Sequence, residues 1–339
     1  MTLKINNRRY IGNKTKLLEF ISECMQKENI QFKSFGDVFS GTGVVAEYFF
    51  NKGKDIYVND LLYSNFVIYN AWFSKADFSE EKIKNIIVKY NEIEPNDLED
   101  NYFSYNFSDT YYEHSDAKKI GYIRENIEEI YRNEVINDRE KYILITSLIY
   151  SMDKIANTVG HYESFLNKKP EYKDFKMHFI EIGNYTGKSF IFNQDANNLV
   201  KNINVDVMYL DPPYNARQYA NFYHLIENVA KWEKPEVFDK ARKMERKNIM
   251  SEYGKSNAKN IFKDLIENIN AKYIIVSYNN TYEAKSISSI NTITYEDMME
   301  ILESKGETIV YEQNYKFFNS GKTDFKKHLE RIFICKIKK

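Results

Sequence analysis

The stretch 34–60, SFGDVFSGTGVVAEYFFNKGKDIYVND, decides the fold. SFGDVF (34–39) is a short apolar, β-prone run that ends in a glycine-containing turn, SGTG. VVAEYFFNKG has helical spacing with Gly53 placed as a stop, and DIYVND reads as a second buried strand. Strand, glycine turn, helix, strand and acid is the opening of a doubly wound α/β domain. VDVMYLDPPY (205–214) and AKYIIVSYNN (271–280) are two more such strands, each ending in polar residues as at the carboxyl edge of a parallel sheet. The tail adds two β-like runs, TIVYEQNYKFF and LERIFICKI, which complete the sheet as an antiparallel hairpin around a polar loop.

Between these halves the pattern changes. SEEKIKNIIVKYNEI, KIGYIRENIEEIYRNE and REKYILITSLIYSMDKIA all run at helical period and are rich in Glu, Lys and Tyr. The expected organisation is an α/β domain of residues 1–74 plus 186–339, interrupted by a mostly helical insertion at 75–185. No internal repeat is visible.

The chain has 339 residues, 43% hydrophobic and 29% charged, which suits a folded protein with a sizeable core. The longest apolar stretch, about Tyr142 to Met152, is too short for a membrane helix. MTLKINNRRY lacks the apolar run of a secretory signal. Two cysteines, Cys24 and Cys335, cannot build a disulfide framework, and no Cys/His cluster suggests a metal. A cytoplasmic protein with no membrane partner is expected. The net charge of −1 hides an uneven distribution. Residues 1–16 are basic, 76–140 strongly acidic, and 240–263 basic again, with Lys240, Arg242, Lys243, Arg246, Lys247, Lys255, Lys259 and Lys263 against Glu245 and Glu252. The tail, 314–339, is also basic. Each run alone reads as a solvated face; three basic zones flanking an acidic insert point to a polyanion.

Two motifs bear on chemistry. In DVFSGTG (37–43), Gly41 and Gly43 let the backbone approach a ligand closely, and the absence of Gly-Lys-Ser/Thr excludes a phosphate-cradling P-loop. Asp60, ending YVND, is placed to accept hydrogen bonds from ribose hydroxyls, although a strand-end turn carboxylate accounts for it equally well. The stronger signal is Asp211-Pro212-Pro213-Tyr214 after the apolar strand VMYL. Two prolines remove two amide donors, so the Asp211 carboxylate and Pro212 carbonyl have no local donor to quench them. With the flat ring of Tyr214 beside them, they suit an exocyclic amine on a planar base.

RYIGNKTKLLEFI, DVFSGTG, YVND and YLDPPYN, in this order, resemble the DNA adenine-N6 methyltransferases of the Dam-like alpha-group class. NTVGHYESF (157–165), NQDANNL (193–199), DPPYNARQYANFYHLIE (211–227) and IIVSYNN (274–280) extend the likeness to a subgroup associated with restriction-modification systems and phages. Tyr10 stands where many members have phenylalanine or tryptophan, and Thr42 where serine is also common.

The resemblance implies a Rossmann-like methyltransferase sheet, S-adenosylmethionine as cofactor, a target-recognition region in the insert, and duplex DNA as partner, with a cognate restriction endonuclease as a possible companion. It implies that Asp37 lies close to the cofactor's ammonium, with Phe39, Ser40, Gly41, Thr42 and Gly43 around the methionine moiety. Asp60 would hold the ribose and Asp195 would meet the adenine amine; as a lone Asp after a strand, Asp195 is otherwise a helix N-cap. Tyr10, Gly12 and Lys14 match the segment that closes over the methionine end. Asp211, Pro212, Pro213 and Tyr214 would form the catalytic set, with the target base flipped from the duplex. DNA contacts are expected from Arg217 and Gln218, from Lys243, Arg246 and Lys247, and by likeness from Asn157, His161 and Tyr162. For His161 a structural role is the stronger expectation.

Rival functions keep the same acceptor logic. An RNA-adenine or protein-glutamine methyltransferase more often has Asn in place of Asp211, and a cytosine-amine enzyme usually has serine there. A specificity subunit without catalysis conflicts with an intact DPPY beside an intact glycine turn.

Overall fold

The computed structural model describes residues 3–279, 291–314 and 329–338. Asn280 of IIVSYNN, the end of TIVYEQNYKFF, the polar loop after it, and most lysines of the basic tail lie outside the described residues. The chain divides into two compact units.

The first unit, Lys14–Leu61, Tyr185–Tyr219 and Met250–Lys339, is built on a seven-stranded sheet. Its strands are β1 (Ser34–Asp37), β2 (Asp55–Asn59), β3 (Ser189–Phe192), β4 (Asn204–Leu210), β5 (Asn270–Asn279), β6 (Gly306–Asn314) and β7 (Leu329–Ile337). The order is β3-β2-β1-β4-β5-β7-β6, with β7 antiparallel to both neighbours and the other pairs parallel. The expected hairpin of β6 and β7 is present, and its second strand sits inside the sheet, between β5 and β6.

The strand order reverses between β1 and β4, because the chain runs outward through β2 and β3 before returning. Ligands of open α/β sheets bind outside the carboxyl ends of the strands at such a switch point. The turn after β1 and the turn after β4 therefore face the same crevice.

Register fixes which side chains share a face. Asp37 lies opposite Tyr209, Tyr209 opposite Ile275, Ser277 opposite Ile332, and Asn279 opposite Glu330. That face is covered by the helices Leu18–Lys27 and Val44–Phe50, with Phe35 packed on Phe49 and Tyr209. The other face buries Met208, Leu210, Ile274, Val276, Tyr278, Phe333 and Cys335 against the helices Ala258–Asn268 and Tyr295–Lys305.

The second unit, Met1–Asn13, Leu62–Asn184 and Ala220–Ile249, is helical. Its helices are Tyr63–Phe73, Glu80–Glu92, Tyr102–Phe107, His114–Arg132, Asp138–Ile155 and His224–Lys231. Caps explain their starts: Ser79 and Asn101 accept main-chain N–H groups, and Asn137 with Glu140 forms a capping box.

The unit takes in more than residues 75–185, for two reasons. Tyr63–Phe73 is apolar on nearly every side and cannot face water; Val67, Ile68, Tyr69, Ala71, Trp72 and Phe73 are all buried. Its N-terminus is capped by the Glu227 carboxylate, which accepts from Tyr63 N and Ser64 N at 3.0 and 2.8 Å. Buried Arg124 in turn donates to the carbonyls of Val229 and Ala230 and pairs with Glu128 at 2.7 Å. These bonds fasten 220–249 to the helices.

The insert is less helical than expected. Residues 156–184 form neither helix nor strand beyond an isolated bridge at Ile180. They carry Gly160, Pro170 and no sustained apolar period, and helix side chains hold their backbone instead. Asp116 accepts from the N–H groups of Lys173 and Phe175, and Asn91 bonds Met177 through both N–H and carbonyl.

Candidate active site

In the sheet unit, β1 delivers Asp37 to the crevice and SGTG turns the chain into the helix Val44–Phe50. Gly41 and Gly43 have φ of 52° and 81°, left-handed values that a side chain would strain. The Ser40 hydroxyl donates to the Asp37 carbonyl at 2.6 Å, and Gly41 N–H donates to Asp60 Oδ2 at 3.0 Å, so the acid after β2 is tied to the glycine turn. Thr42 is buried, and Phe39 meets Tyr253 edge-on at 5.2 Å. Asp195 caps the short helix Ala196–Leu199 through Asn198 N–H and remains exposed. The helix cap expected of a lone Asp after a strand is present.

Asp37 is 1% exposed, and neither carboxylate oxygen has a hydrogen-bond partner of good geometry. Burial holds its proton affinity well above the ordinary carboxylate range; Asp211 and Asp60 push the same way, while Ser40 and the Phe39 amide pull back. A buried carboxylate without a donor is costly unless a cation meets it.

Asp211 stands one residue beyond β4, two after Tyr209, on the Asp37 face. Lys14, expected at the methionine end of the cofactor, has its Nζ 3.1 Å from Asp211 Oδ1. Burial raises the proton affinity of Asp211, and Lys14 lowers it by charge and hydrogen bond. Tyr214 is 6% exposed; its hydroxyl donates to the Ser277 carbonyl and its ring meets Tyr278 edge-on. Half-buried Tyr219 adds a second ring, whose phenol is raised by burial and then by Asp211 and Asp60.

Two residues near this site carried no sequence signal. Tyr209, buried in β4 with an unpartnered hydroxyl, is raised by burial and then by Asp211 and Asp37. Glu330, on β7, is buried with Oε2 unpartnered. LERIFICKI reads only as a strand, and nothing local marks its glutamate. Lys14 thus pairs with Asp211 and reaches Glu330 by charge, while Asp37 has no ion pair among the described residues. The buried Asp37 carboxylate, with no ion pair among the described residues, fits a ligand bearing an ammonium, as S-adenosylmethionine does.

The helical unit places the other expected residues. Tyr10 stacks on Tyr223 with centroids 4.5 Å apart and planes 4° apart, and the Tyr223 hydroxyl accepts from Ile11 N–H. Arg8 lies over both rings and pairs with Asp153 at 3.7 Å. Gly12 has a left-handed φ of 79°. Asn157 is buried and its amide donates to the carbonyls of Thr110, Leu166 and Lys168, which makes it a loop anchor rather than the DNA contact expected by likeness. Tyr162 is likewise buried, bonded to Asp153 and Tyr112. His161 accepts from Glu163 N–H through Nδ1 and packs on Phe222.

Gln218 is also corrected. At 6% exposure it clamps the main chain of Ser251, donating to the carbonyl and accepting from the N–H. Arg217 is exposed, with no side-chain partner among the described residues. The basic stretch 240–263 is divided between the units after Ile249. Lys255, Lys259 and Lys263 pair with acids of their own unit. Arg246 is held by Asn221 and the Met244 carbonyl. Lys243 and Lys247 have no ion pair among the described residues.

Residues 10–283 match the family model described as D12 class N6 adenine-specific DNA methyltransferase. The chain is 37% identical over 286 residues to the modification methylase StsI of Streptococcus sanguinis, covering 80% of this chain and 44% of that protein. It is 34% identical over 293 residues to the modification methylase LlaI of Lactococcus lactis subsp. lactis, covering 80% and 46%. It therefore spans about half the length of these two relatives. With the type II methyltransferase M.NlaIII of Neisseria lactamica it shares 30% identity over 330 residues, covering 94% of this chain and 95% of that one.

Proposed function

The chain belongs to the D12 class of N6 adenine-specific DNA methyltransferases, and from that premise we propose that it methylates the N6 amine of an adenine flipped out of duplex DNA, at a specific site, using S-adenosylmethionine. The observation that carries the reading is the pairing of Asp211 at the end of β4 with the donorless Asp37 carboxylate at the end of β1, across the switch point of the sheet.

S-adenosylmethionine, when bound, supplies an electrophilic methyl group on a sulfonium. Asp37 would hold its ammonium and Asp60 its ribose hydroxyls, with Gly41 and Gly43 letting the turn come close. Asp195 would meet its adenine amine. Tyr10 and Gly12 lie in the other unit and keep their place at the methionine end from family likeness alone.

The remaining work falls to the DPPY segment. The adenine amine is a poor nucleophile because its lone pair is delocalised into the ring. The Asp211 carboxylate and Pro212 carbonyl would accept its two N–H groups and localise that lone pair, so that attack on the methyl needs only proximity and alignment. Pro212 and Pro213 offer no N–H to compete. Burial raises the proton affinity of Asp211, which suits it to receive the proton that N6 sheds. Tyr214 and Tyr219, whose phenols both feel Asp211, would wall the flipped base. Exposed Arg217 and Lys247 and half-buried Lys243 are the side chains left to meet phosphates.

The relatives' names place them in modification, so this chain would act in the cytoplasm as the protecting partner of an endonuclease reading the same site. No helix among the described residues is long and apolar enough to cross a membrane. The test is tritiated methyl transfer to duplex DNA, followed by digestion to nucleosides. Label on N6-methyldeoxyadenosine is expected; label on a cytosine derivative, or on RNA alone, overturns the reading.

A further inference from the structure

Glu330 stands in register with Asn279 of β5, two residues beyond Ser277, at the carboxyl edge and on the face that carries Asp37, Tyr209 and Asp211. Tyr311, opposite Ile332 on that face, bonds Glu28 just past the helix Leu18–Lys27. The segment led in by Lys14 therefore runs over the same face as Glu330. Glu330 is 6% exposed and its Oε2 has no hydrogen-bond partner. Burial raises its proton affinity, Lys14 lowers it and Asp211 raises it further, so it lies within electrostatic reach of both. A carboxylate this deep is normally paired.

The Lys14–Asp211 pair creates a chemical conflict. An ammonium on Asp211 Oδ1 competes with the amine N–H of the target base for the same oxygen. Removing the ammonium altogether would leave half-buried Asp211 with its charge uncompensated. A second carboxylate resolves this, since it lets the ammonium shift a short way without leaving the pocket.

Resting on the methyltransferase reading above, we propose that Glu330 is a positioning residue for Lys14: it shares the ammonium with Asp211 and takes it over when the target amine donates to Asp211. Lys14 keeps its proton throughout, and no covalent bond changes. Between turnovers the ammonium keeps Asp211 ionised; during attack it rests on Glu330 Oε2, the oxygen that has no partner in the free protein.

Glu330→Gln keeps the shape and removes the charge, and Glu330→Asp keeps the charge on a shorter arm. Each is compared with wild type by tritiated methyl transfer to a long mixed-sequence duplex across pH, and by calorimetry with S-adenosylmethionine. In Glu330→Gln the ammonium loses the second carboxylate and keeps Asp211. The expected result is a kcat lower by about 10–100-fold, the size of a misplaced reacting group. The acid limb of kcat should move to lower pH, because a carboxylate with an undivided ammonium stays ionised further down. KM for DNA and affinity for S-adenosylmethionine should be unchanged. Glu330→Asp should fall between wild type and Glu330→Gln in both rate and limb, and it decides by the same criteria if the glutamine variant does not fold. An unmoved acid limb, or a rate lost together with cofactor affinity, overturns the proposal. If the functional reading itself is at fault, wild type labels no deoxyadenosine, and the proposal falls with it.

Discussion

The two units handle buried charge in opposite ways. In the helical unit it is matched by opposite charge: Arg8 lies 3.7 Å from Asp153 without a hydrogen bond, Arg124 pairs with Glu128, and Glu140 with Lys82. Glu227 caps one helix and Asp116 holds a loop. In the sheet unit Asp37, half-buried Asp211 and Glu330 sit on one face of the sheet, and Asp37 has no ion pair among the described residues. Matched burial builds architecture, because each ion is compensated where it lies. Unmatched burial is unstable unless something arrives to compensate it, and that marks the place of a cationic ligand and of the chemistry.

The largest expected effect tests the unmatched side. Asp211→Ala should lower methyl transfer by about 10²–10⁴-fold while leaving S-adenosylmethionine binding nearly intact, since the amine loses its acceptor. Normal turnover by that variant in the tritium assay would remove Asp211 from the reaction and break the comparison.

On the matched side, Arg8→Ala leaves Asp153 buried without its cation and should destabilise the fold by about 3–5 kcal/mol in urea unfolding. A neutral result would mean that the pair contributes nothing to the architecture.

Asp37→Asn sharpens the distinction, because removing an unmatched charge should not harm the fold but should weaken S-adenosylmethionine binding by about 1.5–3 kcal/mol. The pH dependence follows with a definite sign. The Asp37 carboxylate has a raised proton affinity and must be ionised to hold an ammonium, so wild-type affinity should fall as pH drops through that raised value. Calorimetry at several pH values measures both effects.

A smaller change is expected from Asn157→Ala, which leaves carbonyls of the 156–184 loop without a donor and should cost about 1–3 kcal/mol in stability. The smallest belongs to Arg217→Ala, which should lower DNA affinity alike for all sequences and flatten the salt slope by about one unit in a filter-binding titration. An unchanged slope would leave Arg217 a solvated side chain.

The sheet unit was the more legible. Its strands, the glycine turn and the DPPY string are each local patterns, and each appears where the sequence sets it. The helical unit was legible as helices but not as roles. Asn157 and Gln218 are polar residues beside motif segments, which is also where a DNA contact would lie. Their burial depends on carbonyls and amides brought in from Thr110, Leu166 and Ser251, and no local pattern reports that. The unit boundary at Leu62 escaped for the same reason, since the helix Tyr63–Phe73 is placed by Glu227, far along the chain.

The sequence by itself determined the alternation of strands and helices, the glycine turn at 40–43 and the paired acceptors at Asp211 and Pro212. These follow from side-chain period, glycine torsions and missing proline donors, which are properties of neighbouring residues. The tertiary structure alone decided the insertion of β7 between β5 and β6, the meeting of Lys14 with Asp211 and the burial of Glu330 on the same face of the sheet, within electrostatic reach of both. Strand pairing across long loops sets which side chains share a face, and burial on that face sets which charges need a partner.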